Sequence, residues 1–311
     1  MRPAFSVIFL TTLCGAAQGL FLALFATDLF GPNDSDIDEA ALFAGGSLIC
    51  VGLSALGLVA SFFHLGRPEK AWRSAAMWRT SWLSREVIAL PVFMSLVALY
   101  GWLHWRGSNS TFWVGVLATM ACITLFICTA MIYACLKFLQ EWAHPLTLVN
   151  YIVLGCASGF TLAMILATFT APDLVFPYAL AALLATLIGF VTRGAALIRN
   201  ARLRPKSTLQ SAIGIKHPRI VQTAQGFMGS SFNTREFFHG RTREVVRAVK
   251  WGFLAAAFVV PLGLILIGIF RGSFYALAAA GVIQYLGLLA ERWYFFAEAK
   301  HPQNLYYQAM S

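Results

Sequence analysis

Apolar residues along this chain come in long unbroken runs rather than in the one-sided stripes of a soluble helix. Eight runs stand out, at roughly 4–27, 41–63, 86–105, 112–139, 147–170, 174–198, 249–270 and 274–297. Each is near the ~20 residues a helix needs to cross ~30 Å of hydrocarbon. Lipid cannot satisfy free backbone N–H and C=O groups, and the runs are too long for barrel strands. The pattern therefore predicts an all-α integral membrane protein with eight transmembrane helices, one anchor domain over residues 1–311. The first run follows Arg2 in the manner of a signal peptide. It continues to about residue 27, too long for a signal core, and is read as the first span.

Composition agrees: 59% of residues are hydrophobic and 12% charged, against ~45–50% and ~25% in soluble domains. All six cysteines fall inside predicted spans and none forms a C-x₂-C pair. That argues against iron–sulfur or zinc ligation by this chain, and no metal site is expected. The net charge is +10, and its distribution is more informative than its size. Every Lys and Arg except Arg106 and Arg271 falls on one side of the alternating spans, opposite an acidic 28–39 connector. By the positive-inside rule both termini are cytoplasmic, in the multi-pass topology of a bacterial inner-membrane protein.

Two connectors on the basic side are large. The 199–247 connector carries most of the charge and is too long for a simple turn. It is read as a partner-docking loop, with Lys216, Arg219, Arg235 and Arg241 as contacts, in preference to one that binds only lipid headgroups. Asn233 followed by Glu236 fits a capping box that would start a short helix, with Gly240 as its breaker. No recognition motif accompanies the charge, so nucleic acid is not an expected partner.

The densest polar chemistry lies in SFFHLGRPEKAWRSAAMWRTSWLSRE, residues 61–86, most of it in the second connector, 64–85. Pro68 with Glu69 suits the first turn of a short helix. Trp72, Trp78 and Trp82 belong at headgroup depth whatever the function. His64 beside Arg67, and Arg85-Glu86 at the mouth of the third span, fit a quinone headgroup at the membrane edge. Its carbonyl oxygens need donors as electrons arrive, and its reduction needs protons, which His supplies near neutral pH. Arg stabilises the developing negative charge, Glu86 can relay protons and Trp can line the flat ring. The candidate quinone-binding set is His64, Gly66, Arg67, Arg73, Trp82, Arg85 and Glu86, with His64 and Glu86 in the chemical roles. His64, Arg67 and Arg73 also have the plainer reading of solvated interfacial charges. Glu86 resists it, because an acid within a span is costly. No His lies mid-span, which disfavours a haem at the bilayer centre; a haem b near the basic face, held by His64 or a neighbour, stays open. At the other end of the chain Glu291 and Glu298 share a helical face beside Arg292. They could line the same pocket or anchor the helix end.

HLGRPEKAW followed by RTSWLSRE resembles the membrane anchor subunit of DMSO reductase-type complexes. FNTREFFHG and ERWYFFAEAKHPQNLYYQ are similar to the branch that anchors cytoplasmic sulfite dehydrogenases. The resemblance implies a three-part assembly on the cytoplasmic face. A molybdenum bis-pterin subunit handles substrate, a ferredoxin-like subunit holds [4Fe–4S] clusters, and the anchor exchanges electrons with the quinone pool, ubiquinone being favoured. It implies that His64 and Glu86 serve the quinone, and that Gly66 and Arg67 belong to the same motif. With the motif loop on the cytoplasmic side, electrons run from sulfite to quinone. Three alternatives remain: an anchor running from quinol to DMSO, polysulfide or another acceptor; an eight-helix transporter, for which Pro91, Pro177 and Pro261 interrupt spans; and a purely structural anchor.

Overall fold

The computed structural model describes residues 1–31, 38, 40–63, 65–224 and 232–307. Eight helices in it are long and apolar enough to cross a membrane. They are α1 (Phe5–Phe30), α2 (Ala40–Phe62), α3 (Trp82–Trp105), α4 (Thr111–Ala134), α5 (Pro145–Thr170), α6 (Val175–Ala201), α7 (Arg243–Arg271) and α8 (Phe274–Glu298). Their boundaries differ from the hydropathy runs where helix-start chemistry lies outside the apolar stretch. Ser81 caps α3 by accepting the Ser84 N–H, so Trp82 and Arg85 are helical and not part of the connector. Thr242 caps α7 in the same way, and Arg243, Arg247 and Lys250 thereby belong to a helix. Span four stops at Ala134, earlier than the apolar run suggests; the chain then turns so that Leu139 and Trp142 tuck, buried, beneath the bundle.

Helix α1 is the axis of the molecule. Ala17, Leu20, Phe21 and Leu24 are fully buried, and α1 packs on α2, α4, α5 and α8. Its closest neighbour is α5, because both carry glycines four residues apart, Gly15/Gly19 and Gly155/Gly159. A Cβ at Gly19 would overlap the Gly155 carbonyl, and one at Gly159 the Gly19–Leu20 peptide. In lipid, where no hydrophobic effect drives helices together, such close backbone approach supplies the dispersion contact that does. Between α1 and α3, Phe21 meets Phe93 and Tyr100 edge-to-face, and Phe25 meets Tyr100 in the same way.

Two π-helical turns adjust the frame. One opens α2 at Ala40–Gly45; the other, Ala255–Val259, precedes Pro261 in α7. Pro261 offers no N–H to the turn before it, and a π-bulge absorbs that missing bond. The widened turn faces Gly287 of α8, whose bare Cα admits the Ala256–Ala257 backbone. A mid-membrane clasp joins three spans: Thr161 Oγ1 donates to Gln284 Oε1 at 2.7 Å, and Gln284 Nε2 donates to Thr186 Oγ1 at 2.9 Å.

The first residues and the segment that follows α8 meet at one end, termed here the basic end. The Met1 amine donates to the Ala299 carbonyl at 2.8 Å, and the Arg2 N–H to the Glu236 carbonyl at 2.8 Å. Phe237 stacks on His301 at 3.7 Å, and Asn304 Nδ2 donates to the Phe237 carbonyl. The start of the chain, the 234–240 segment and the C-terminal stretch thus form one knot under the bundle. Asn233 lies inside the helix Phe232–Glu236 rather than capping it, and Gly240 adopts a left-handed φ of 62° in the turn that follows.

Candidate functional site

Helix α3 carries Glu86 one turn inside its basic end. The side chain is buried, and Thr129 Oγ1 of α4 donates to its Oε1 at 2.6 Å. Burying a carboxyl group costs several kcal/mol unless it is hydrogen-bonded, so this donor is what makes the position tenable.

Beside Glu86 a groove of about 440 Å³ opens between α3 and α4 on the outside of the bundle. Trp78, Trp82 and Arg85 line its mouth, and Ala89, Thr124 and Cys128 its apolar wall. Its size is that of small-molecule clefts. Arg85 is held in place: Nε donates to the Trp78 carbonyl at 2.9 Å, Nη2 to the Arg79 carbonyl at 2.7 Å, and the guanidinium lies 4.3 Å from the Trp82 ring centroid. Of the sequence-derived candidates, Trp82 and Arg85 therefore come together in the groove. Glu86, next to Arg85 in the chain, bonds Thr129 inside the bundle and is not part of the groove lining. Pro68–Ala75 forms a 3₁₀ helix with Glu69 in its first turn, as expected. Gly66, Arg67 and Arg73 are exposed on this connector, apart from the groove lining; Arg73 stacks on Trp72 at 5.5 Å. His64 lies outside the described residues.

A second polar site, not anticipated in this form, occupies the same depth between α5, α6 and α8. Arg193, within the 174–198 apolar run, sits two turns inside α6 and is 2% exposed. Its Nε is 2.7 Å from Glu291 Oε1, and its Nη2 is 3.7 Å from Glu298 Oε2. The short contact lies off the N–H direction, which makes it an ion pair more than a hydrogen bond. Arg292 lies 3.7 Å from Glu291 and caps the Tyr151 ring, 3.7 Å above its centroid. Asn200 Nδ2 donates to Glu298 Oε2 at 3.1 Å. Glu291 and Glu298 do share a face, and it points into this ionic cluster rather than into the groove beside Glu86. The apolar letters around Arg193, LIGFVTRGAALI, carry the available signal: a single charge inside an apolar run is seldom idle. Around both sites Tyr133, Trp142, Tyr151, Phe295 and Phe296 make an aromatic floor, fixed by the Trp142 indole donating to the Phe295 carbonyl at 3.0 Å.

At the basic surface Lys216, Arg219, Arg235 and Arg241 are exposed on the connector between α6 and α7. His144, the N-cap of α5, is held below the usual imidazole pKa by burial and then by Arg199.

An anchor-subunit family model, described as the DMSO reductase anchor subunit, matches residues 1–223. The chain belongs to that family. Beyond the family model, the chain is 51% identical to a sulfite dehydrogenase subunit of Allochromatium vinosum, with all of both chains covered. The eight helices long and apolar enough to cross a membrane are thus those of a multi-pass membrane anchor of the DMSO reductase type.

Proposed function

We propose that this anchor is the quinone-reactive member of a three-part sulfite dehydrogenase. It would pass electrons from sulfite, through a molybdenum bis-pterin subunit and a ferredoxin-like [4Fe–4S] subunit, to ubiquinone. The observation that carries the reading is Glu86. A carboxyl group held by Thr129 one turn inside α3, next in the chain to Arg85, which with Trp78 and Trp82 lines a groove on the outside of the bundle, suits a headgroup whose isoprenoid tail stays in the bilayer. Arg85 offers positive charge where electrons arrive, and Glu86 can hold and hand over a proton. His64 completes the set by its place in the motif. The naming of the full-length relative supports sulfite as the substrate. The Lys and Arg distribution supports a cytoplasmic basic end, where Lys216, Arg219, Arg235 and Arg241 would seat the iron–sulfur partner.

The test uses the complex purified with this chain, with sulfite as donor and a ubiquinone analogue as acceptor. Glu86→Gln and His64→Ala should each cut quinone turnover by about 10²-fold or more, while sulfite oxidation by ferricyanide persists. Full quinone turnover in both variants would remove these residues from the reaction. Oxidation of quinol by DMSO without sulfite turnover would reverse the direction.

A further inference from the structure

Between Glu291 and the basic surface lies a cavity that the groove at Glu86 does not include. Its volume is about 10 Å³, and Asn150, Tyr151, Arg193, Glu291 and Arg292 line its inner wall. That is too small for a quinone ring and enough for about one water molecule. The lining residues are only 5%, 4%, 2%, 1% and 5% exposed, respectively. Asn150 Oδ1, the Tyr151 hydroxyl, Glu291 Oε2 and Arg193 Nη2 have no hydrogen-bond partner among the described residues. Two of these, Arg193 Nη2 and Glu291 Oε2, have only ion-pair contacts at 3.7 Å, and the other two have none. A water-sized space is thus lined by four residues with hydrogen-bonding capacity to spare, where a water needs two to four partners.

The cavity is connected in both directions. Outward, Glu141, His144 and Arg199 share its lining, and Asn200 joins it to Glu298, whose side chain is 15% exposed. Inward, the Tyr151 and Tyr133 rings stack at 5.8 Å. Tyr133 lies one turn along α4 from Thr129, the Glu86 donor. Glu298, Glu291, Tyr151, Tyr133 and Glu86 therefore mark a line of exchangeable protons from the basic surface to Glu86, through an otherwise apolar bundle.

We propose that this cavity is the proton intake for the quinone reaction: a water held by Glu291, Asn150 and Tyr151 passes protons from the basic surface towards Glu86. The proposal rests on the quinone reading above. Reduction of the quinone takes up two electrons, supplied by the iron–sulfur partner, and two protons, supplied by bulk water along this line. Glu291, Tyr151 and Tyr133 are then positioning residues that touch no substrate.

The deciding variant is Tyr151→Phe, which keeps the ring under Arg292 and removes only the hydroxyl. In the purified complex kcat for the ubiquinone analogue should fall about tenfold or more, with KM and sulfite–ferricyanide turnover unchanged. The solvent isotope effect on quinone reduction should rise above that of the wild type. Glu291→Gln should do the same, and the double variant should be no slower than the slower single one, because both lie on one path. Wild-type kcat and isotope effect in Tyr151→Phe would overturn the intake, whether or not Glu291→Gln assembles. A wild-type complex that cannot reduce quinone at all would instead overturn the quinone reading.

Discussion

Arg193 sits two turns inside a membrane span, and its position is tenable only because Glu291 and Glu298 face it and Phe253 and Tyr294 flank its guanidinium. Removing one member of a buried ion pair strands the other, at a cost of about 3–5 kcal/mol. Arg193→Met should therefore lower the melting temperature of the detergent-solubilised complex clearly, and adding Glu291→Gln should restore part of the loss. An unchanged melting temperature in the single variant would mean that the pair is already screened by water. Glu86 is legible in sequence as a functional candidate because an acid just inside an apolar run is conspicuous. Its donor is not: Thr129 lies 43 positions away, in a span whose threonines mostly bond their own backbone. Arg193 is visible in sequence as a charge inside the 174–198 run, but its partners are not: Glu291 and Glu298 belong to the last span, far along the chain.

At the level of the helices, the α1–α5 contact is the most demanding in the bundle. A methyl group at Gly159 has backbone, not a flexible side chain, in its way. Overpacking in a well-filled core costs about 1–3 kcal/mol, more where backbone must move. Gly159→Ala should reduce the amount of folded anchor recovered from membranes, whereas Gly194→Ala on α6, with open space at its Cβ, should not. Equal recovery would show that α1 and α5 can separate without loss. The eight spans are visible in hydropathy, since each must be apolar over its whole length to lie in lipid. Their ends are displaced, because caps such as Ser81 and Thr242 are polar and lie beyond the apolar run.

At the level of the whole molecule, the terminal knot is sensitive to acid. Burial, partly offset by Glu141, lowers the Met1 amine from 8.0 to about 6. Burial and then the charge of that amine hold His301 and His239 below the usual imidazole value. A depressed pKa in the folded state means that the unfolded state binds more protons, so the stabilisation is complete above the unfolded value and is lost as pH falls. For the amine the window runs from about 8 down to about 6. Amide exchange at Arg2, whose N–H is bonded to Glu236, should quicken as pH falls through that window once the intrinsic exchange rate is factored out. A flat protection factor would mean that the knot holds with a charged amine.

The sequence by itself determined the class of the molecule: an all-helical membrane anchor, one heavily basic face, and an acid with arginine and tryptophan at the start of the third span. These follow from solvent, since lipid sorts residues by polarity along the chain and leaves its record in linear order. The tertiary structure alone decided which charges face each other. Thr129 reaches Glu86, Arg193 reaches Glu291, and Gly15 and Gly19 open the seam for Gly155 and Gly159. Those pairings depend on the rotation and closeness of helices far apart in the chain, and hydropathy is almost indifferent to both.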